Sequence, residues 1–179
     1  ARSARHIIAS QGMTFSQATG RMKHIGFGDH VGQRPSPPLT TVDGVSGCAM
    51  LIRREVLQQV GLLDEDYFFS FEDLDLCLRA RRVGFETFCV GRATAYHEGG
   101  QSIGKHSPRR IYFATRNHLL MARTSARTAP PFTLLRHGFI LGLNLAHVML
   151  TSDIPRREGF KAMTAGVWHH FWRRYGDGP

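Results

Sequence analysis

The run Phe68-Phe69-Ser70-Phe71-Glu72-Asp73-Leu74-Asp75-Leu76 constrains this chain more than any other stretch. Ser70 is a residue type that opens helices, an acidic pair follows it, and Asp73 stands where a capping box would place its acid. Leu74, Cys77 and Leu78 then recur on one helical face, so the sequence predicts a helix over 71–83 with Gly84 as its stop. Residues 85–90 read as the next strand, and His97 follows in Tyr96-His97-Glu98-Gly99-Gly100. A helix followed by a strand can bring the Asp73 carboxylate and the His97 imidazole to one sheet edge. Group transfer from a metal-bound diphosphate needs both kinds of group.

The flanking segments read more plainly. Residues 9–41, rich in Gly, Ser, Thr and Pro, predict surface loops with little regular structure. Residues 41–52 predict a strand that becomes buried, interrupted by Gly44 and Gly47; such glycines mark a bend or a close backbone approach to a ligand. A short helix over 53–60 ends at Gly61. Ser107-Pro108 opens a helix running to about residue 123, and Ala129-Pro130-Pro131 breaks the chain. Two further helices are expected over 132–150 and 155–174.

Charge divides the chain. Residues 1–104 carry 11 basic and 11 acidic side chains, whereas residues 105–179 carry 12 and 3, so the whole net charge of +9 lies in the second part. Such a tail suits an anionic partner: a membrane surface, a nucleic acid or a phosphorylated lipid. Arg123, Arg127, Arg136, Arg156, Arg157, Lys161, Arg173 and Arg174 flank apolar helical segments, and Trp168 and Trp172 lie among them. That is the pattern of a helix lying on an anionic membrane, and equally of a packed helical subdomain with a cationic rim. Phe132–Leu150 is not a clean span, because it contains Arg136, His137, Asn144 and His147. No nucleic-acid motif is present, and none is expected to bind. Three cysteines, Cys48, Cys77 and Cys89, form neither a disulfide framework nor a zinc signature and read as reduced, mostly buried thiols of a cytoplasmic chain. The first residues show neither an initiator Met nor a signal peptide, which suggests the interior of a longer protein.

Each candidate residue has a plainer role beside the chemical one. Glu72 and Asp73 can simply favour the helix dipole. Tyr67, Phe68 and Phe69 can be core, or an apolar lip that stacks on a sugar. His97 can be one exposed histidine among ten. Arg116 and Asn117 can lie on a solvated helix face.

Taken in order, Val42-Asp43-Gly44-Val45-Ser46-Gly47-Cys48-Ala49-Met50-Leu51-Ile52-Arg53-Arg54, Val60-Gly61-Leu62-Leu63-Asp64-Glu65, Phe71 to Arg79, Ala95-Tyr96-His97-Glu98 and Arg116-Asn117 resemble the C-terminal, acceptor-side half of a family 2 glycosyltransferase. The likeness is to its rhamnosyltransferase-like branch and covers residues 40–123. It implies an α/β fold, the C-terminal portion of a GT-A mixed sheet, followed by a basic helical extension. It implies a loop-rich segment over 1–40, a catalytic part over 41–123 and the extension over 124–179.

The resemblance implies an inverting, metal-dependent transferase that moves a sugar from a nucleotide-diphosphate donor to a saccharide or lipid-linked acceptor. Asp73 would be the general base, Glu72 would orient it or hold the acceptor, and His97 would be a ligand to Mg2+ or Mn2+. Gly47, Tyr67, Phe68, Phe69, Arg116 and Asn117 would line the substrate site. The enzyme would be cytoplasmic and peripheral on the inner face of the cell membrane. The donor-binding half, with its Asp-x-Asp metal motif, has no counterpart here, so the chain is expected to be inactive by itself. The competing expectations are a non-catalytic basic module that binds membrane or nucleic acid, and an inactive transferase remnant.

Overall fold

The computed structural model describes residues 6–33, 36–98, 103–104, 106–125, 130–150 and 153–178. The chain forms two compact units. The first comprises Ala1–Phe15, Met22–Leu63 and Asp73–His97; the second comprises Ser16–Arg21, Asp64–Glu72 and Glu98–Pro179. The division interleaves along the chain.

The mixed α/β character of the first unit comes from short elements. Strands β1 (Met13–Ser16) and β2 (Arg21–His24) pair with each other, where loop alone was expected over 9–41. Strand β3 (Thr40–Val42) pairs antiparallel with β4 (Thr87–Cys89), with Thr40 opposite Cys89 and Val42 opposite Thr87. The sheets among the described residues are thus two separate pairs. Glycine-rich composition hid β1 and β2, because here the glycines permit close approach. Gly12 has φ +101°, and a Cβ there would lie 2.6 Å from Val42 Cγ1.

The strand expected over 41–52 stops at Val42. Beyond it the Asp43 carboxylate accepts the Phe15 N–H at 2.6 Å and pairs with Arg81, and Gly47–Ala49 form a 3-10 turn. Helix α1 (Arg54–Val60) ends at Gly61, whose φ of +80° and N–H bond to the Leu57 carbonyl at 2.9 Å make the expected stop. Helix α2 spans Glu72–Arg82 and buries Leu74, Leu76, Cys77, Leu78 and Ala80. Arg79 pairs with buried Asp75 at 2.6 Å and donates to the Leu62 carbonyl at 2.8 Å, tying α2 to the end of α1. Of the free cysteines only Cys77 is buried; Cys48 is exposed and Cys89 half-buried, which corrects the expectation of mostly buried thiols.

The second unit is helical. Helix α3 (Pro108–Ser125) begins where Ser107 Oγ accepts the Arg109 N–H at 3.2 Å, and it packs on both α4 (Pro130–Leu150) and α5 (Arg156–Phe171). Pro130 and Pro131 start α4 instead of separating elements. A proline at the first helical position lacks only an N–H that has no intrahelical partner there. The α3–α5 approach is close: a Cβ on Gly166 would lie 2.7 Å from the Tyr112 carbonyl oxygen. Apolar clusters of Ile111, Val148, Ile154 and Met163, and of Leu119, Ala122 and Ile140, fill the space between the helices. Phe132–Leu150 is long and apolar enough to cross a membrane by length and composition, although little of it is buried.

Candidate functional site

In the first unit the site is built around the first turn of α2. Asp73 Oδ2 accepts the Gly47 N–H at 3.0 Å, and Oδ1 accepts the Leu74 N–H at 2.8 Å. The carboxylate is half-buried, so it is held by two backbone donors while keeping access to solvent. A Cβ on Gly47 would lie 3.6 Å from Asp73 Cβ, an ordinary contact. Gly44 is tighter, because a Cβ there would lie 3.0 Å from Leu74 Cδ1 and 3.1 Å from Met13 Cε. Small residues at 44 and 47 therefore let the segment after β3 run close against the start of α2.

His24 also belongs to this neighbourhood, and nothing in the sequence marked it. Its Nδ1 lies 3.0 Å from Ser10 Oγ. Burial holds its pKa below the usual imidazole value, while the negative charge of Asp73 acts in the opposite sense. The two groups are thus within electrostatic reach. His24 stands in a segment that composition assigned to loop, so no periodicity pointed to it.

His97 lies in the same unit beyond β4, in irregular chain, exposed. Among the described residues no three His, Cys, Asp or Glu side chains gather into a set that could hold a metal ion. The described residues do not form a metal cage, and His97 offers one imidazole nitrogen only.

In the second unit the aromatic approach to α2 is strained and firmly held. Phe68, Ser70 and Phe71 have φ of 55°, 67° and 77°, the left-handed region that non-glycine residues avoid. Ser70 therefore lacks the extended backbone of a helix cap, which corrects the expected capping box. Backbone held this way persists only where surrounding contacts over-determine it. Asn117 Nδ2 donates to the carbonyls of Tyr67 (2.7 Å), Phe69 (2.6 Å) and Ser70 (3.1 Å). Arg116 Nη2 donates to those of Asp66 (2.9 Å) and Tyr67 (3.1 Å). Both side chains are fully buried, not on a solvated face, and these donors are spent on the loop backbone.

The three aromatics separate. Tyr67 is core, its hydroxyl 3.1 Å from Thr124 Oγ1. Phe68 is half exposed and stacks on Phe113 at 5.4 Å. Phe69 lies under the Arg110 guanidinium at 5.6 Å and, with Ser70, lines a cleft of about 330 Å³ together with Asn144 of α4 and Asp153. Phe71 is buried and stacks on His118 at 5.6 Å. Burial above all, with the charges of neighbouring Arg136 and Arg21 acting in the same sense and a backbone hydrogen bond with Gly20 acting against them, lowers the His118 pKa to about 4.

Residues 38–120 match the family described as glycosyltransferase like family 2. An N-acetylglucosaminyl-diphospho-decaprenol L-rhamnosyltransferase of Mycobacterium tuberculosis is 36% identical over 73 residues, 41% of this chain and 24% of its own length. A dTDP-rhamnosyl transferase of Shigella flexneri is 29% identical over 102 residues, 52% of this chain and 34% of its own. A low-salt glycan biosynthesis hexosyltransferase of Haloferax volcanii is 41% identical over 44 residues, 25% of this chain and 14% of its own. The chain thus spans between about a seventh and a third of the length of these relatives. No solved structure matches it significantly.

Proposed function

We propose that this chain, whose residues 38–120 are a glycosyltransferase-like family 2 segment, is the acceptor-side part of an inverting sugar transferase. The donor would be a nucleotide-diphosphate sugar such as a rhamnosyl donor, and the acceptor a saccharide or a lipid-linked saccharide for a cell-surface polysaccharide. The observation that carries this reading is the Asp73 carboxylate, held by the N–H groups of Gly47 and Leu74 at the start of α2 and inside the matched segment.

Asp73 takes the proton of an acceptor hydroxyl. The hydroxyl oxygen forms its bond to the anomeric carbon as the bond from that carbon to the diphosphate oxygen breaks, and the configuration inverts. Fixing the carboxylate by backbone donors sets its position without consuming its remaining lone pairs. Glu72, one residue earlier, orients the acceptor. Gly47 lets the backbone come close to the reacting groups. Phe68 and Phe69 offer apolar surface on which a sugar can stack, while Arg116, Asn117 and Tyr67 act by holding the loop that carries them.

A dependence on Mg2+ or Mn2+ rests on His97 alone. It can give one ligand, the others coming from diphosphate oxygens, water or parts of the protein outside this chain, and no step above runs through the ion. The charge carried by residues 105–179 supports a cytoplasmic enzyme, peripheral on the inner face of the membrane, where a lipid-linked acceptor is presented.

The test is Asp73→Asn in the full-length protein. Loss of sugar transfer with folding retained supports the reading; undiminished transfer ends it.

A further inference from the structure

The four polar residues that make 132–150 a poor membrane span all lie on one side of α4. Arg136 is buried and donates to the Ala122 carbonyl at 2.7 Å and to Ser125 Oγ at 3.1 Å. His137 meets His170 of α5 edge-on at 5.7 Å. Asn144 Nδ2 donates to the Ile140 carbonyl at 2.9 Å, and Asn144 and His147 line the cleft. At 100° per residue, Leu134, Leu135, Phe139, Gly142, Leu145 and Met149 fall within an arc of about 140° on the other side. Gly138 and Ala146 fall in the same arc, so every side chain of it is apolar, and its five large side chains are 40% to 72% exposed. Gly138 and Gly142 face open space.

A charge-free helical face this wide is unusual on a water-facing surface. The chain around it carries positive charge: exposed Arg123 precedes α4, and exposed Arg156, Arg157 and Lys161 follow it. Against the 12 basic residues of 105–179 stand Asp153, Glu158 and Asp177. An apolar strip bracketed by cations complements a bilayer whose hydrocarbon edge lies beneath anionic headgroups. The helix is not enclosed by lipid, because its polar side packs on α3 and α5.

We infer that α4 is the membrane-docking element: it lies in the plane of an anionic bilayer, its Leu134–Met149 arc is seated at the acyl boundary, and the flanking arginines pair with headgroup phosphates. This inference rests on the peripheral-membrane reading above and specifies the surface that makes the contact.

The experiment is co-sedimentation of the 179-residue chain with phosphatidylcholine vesicles and with vesicles of phosphatidylcholine and phosphatidylglycerol, at low and high salt. Wild type is expected to favour the anionic vesicles and to keep part of its binding at high salt. Leu135→Glu/Phe139→Glu should lower partitioning at least tenfold at both salt concentrations. Gly142→Glu, which introduces a charge into open space without a clash, should do the same with the circular dichroism spectrum unchanged, so that misfolding is separated from lost docking. Arg156→Gln/Arg157→Gln should abolish only the preference for anionic lipid. Wild-type-like binding by Gly142→Glu overturns the inference, as does absence of binding by the wild type. So does a wild-type oligomer that Gly142→Glu converts to monomer, because the arc would then be a protein interface. Sugar transfer to a water-soluble acceptor by the full-length protein reports the catalytic reading separately and should survive Gly142→Glu.

Discussion

Asp73 Oδ2 accepts the backbone N–H of Gly47 at 3.0 Å, which ties the first turn of α2 to the 3-10 turn that follows β3. The two residues lie far apart in sequence, and the bond fixes the acid from outside its own helix. An acid that merely caps α2 would use only the helix's own N–H groups.

Replacing the carboxylate by an amide keeps its shape and removes its basicity. Asp73→Asn in the full-length protein should lower kcat for sugar transfer by roughly 10²–10⁴-fold, the usual contribution of a positioned base. A steady-state transfer assay checks it, with the circular dichroism spectrum unchanged.

Gly47 offers a test of the backbone donor. Gly47→Ala should be tolerated within a few-fold in activity, since its Cβ would stand 3.6 Å from Asp73 Cβ. Gly47→Pro removes the N–H and should cost far more transfer activity. Equal activity in the two variants would show that the bond to Asp73 does not matter.

The loop before α2 should be stabilised from one side and strained from the other. Asn117→Leu leaves buried carbonyls without their donor and should destabilise the chain by at least about 2 kcal/mol, taking about 1–3 kcal/mol per orphaned group. Ser70→Gly relieves a left-handed serine with φ of 67° and should stabilise by about 1 kcal/mol. Urea denaturation monitored by tryptophan fluorescence measures both.

His118 and His170 are each held neutral by burial, with pKa values of about 4 against an ordinary 6.5. The unfolded chain takes up these protons below pH 6.5 while the folded chain does not. Stability is therefore fully present above pH 6.5 and is lost as pH falls from 6.5 towards 4. For His118 alone the loss is about 3 kcal/mol at most, at 1.36 kcal/mol per pKa unit. Thermal melts from pH 7.5 to 4.5 should show this decline, and His118→Gln should flatten it.

His97 is exposed, so His97→Ala should change the melting temperature little, within about 0.5 kcal/mol in stability. If it gives a ligand to the ion, the variant of the full-length protein should need more Mg2+ or Mn2+ to reach half-maximal rate. An unchanged metal titration would remove His97 from the site.

Helix positions were readable wherever local signals suffice. Gly61 stops α1, Ser107-Pro108 opens α3, and the apolar spacing of Leu74, Cys77 and Leu78 marks the buried face of α2. Pro130-Pro131 misled, because a proline pair starts a helix as readily as it breaks one. Strands β1 and β2 were invisible, since four-residue strands between glycines carry too little alternation to be distinguished from loop.

By itself the sequence determined the order of motifs from Val42 to Asn117, and with it the likeness to a glycosyltransferase family, the acid that opens α2 and the one-sided charge. Only tertiary structure decided what those residues touch. It turned Arg116 and Asn117 inward to bind loop carbonyls, brought Gly47 to Asp73 and His24 within reach of its charge, and gathered the polar residues of α4 on one side. The physical reason is that spacing along a chain specifies local geometry, whereas burial and hydrogen-bond partners depend on residues tens of positions away, which no local pattern encodes.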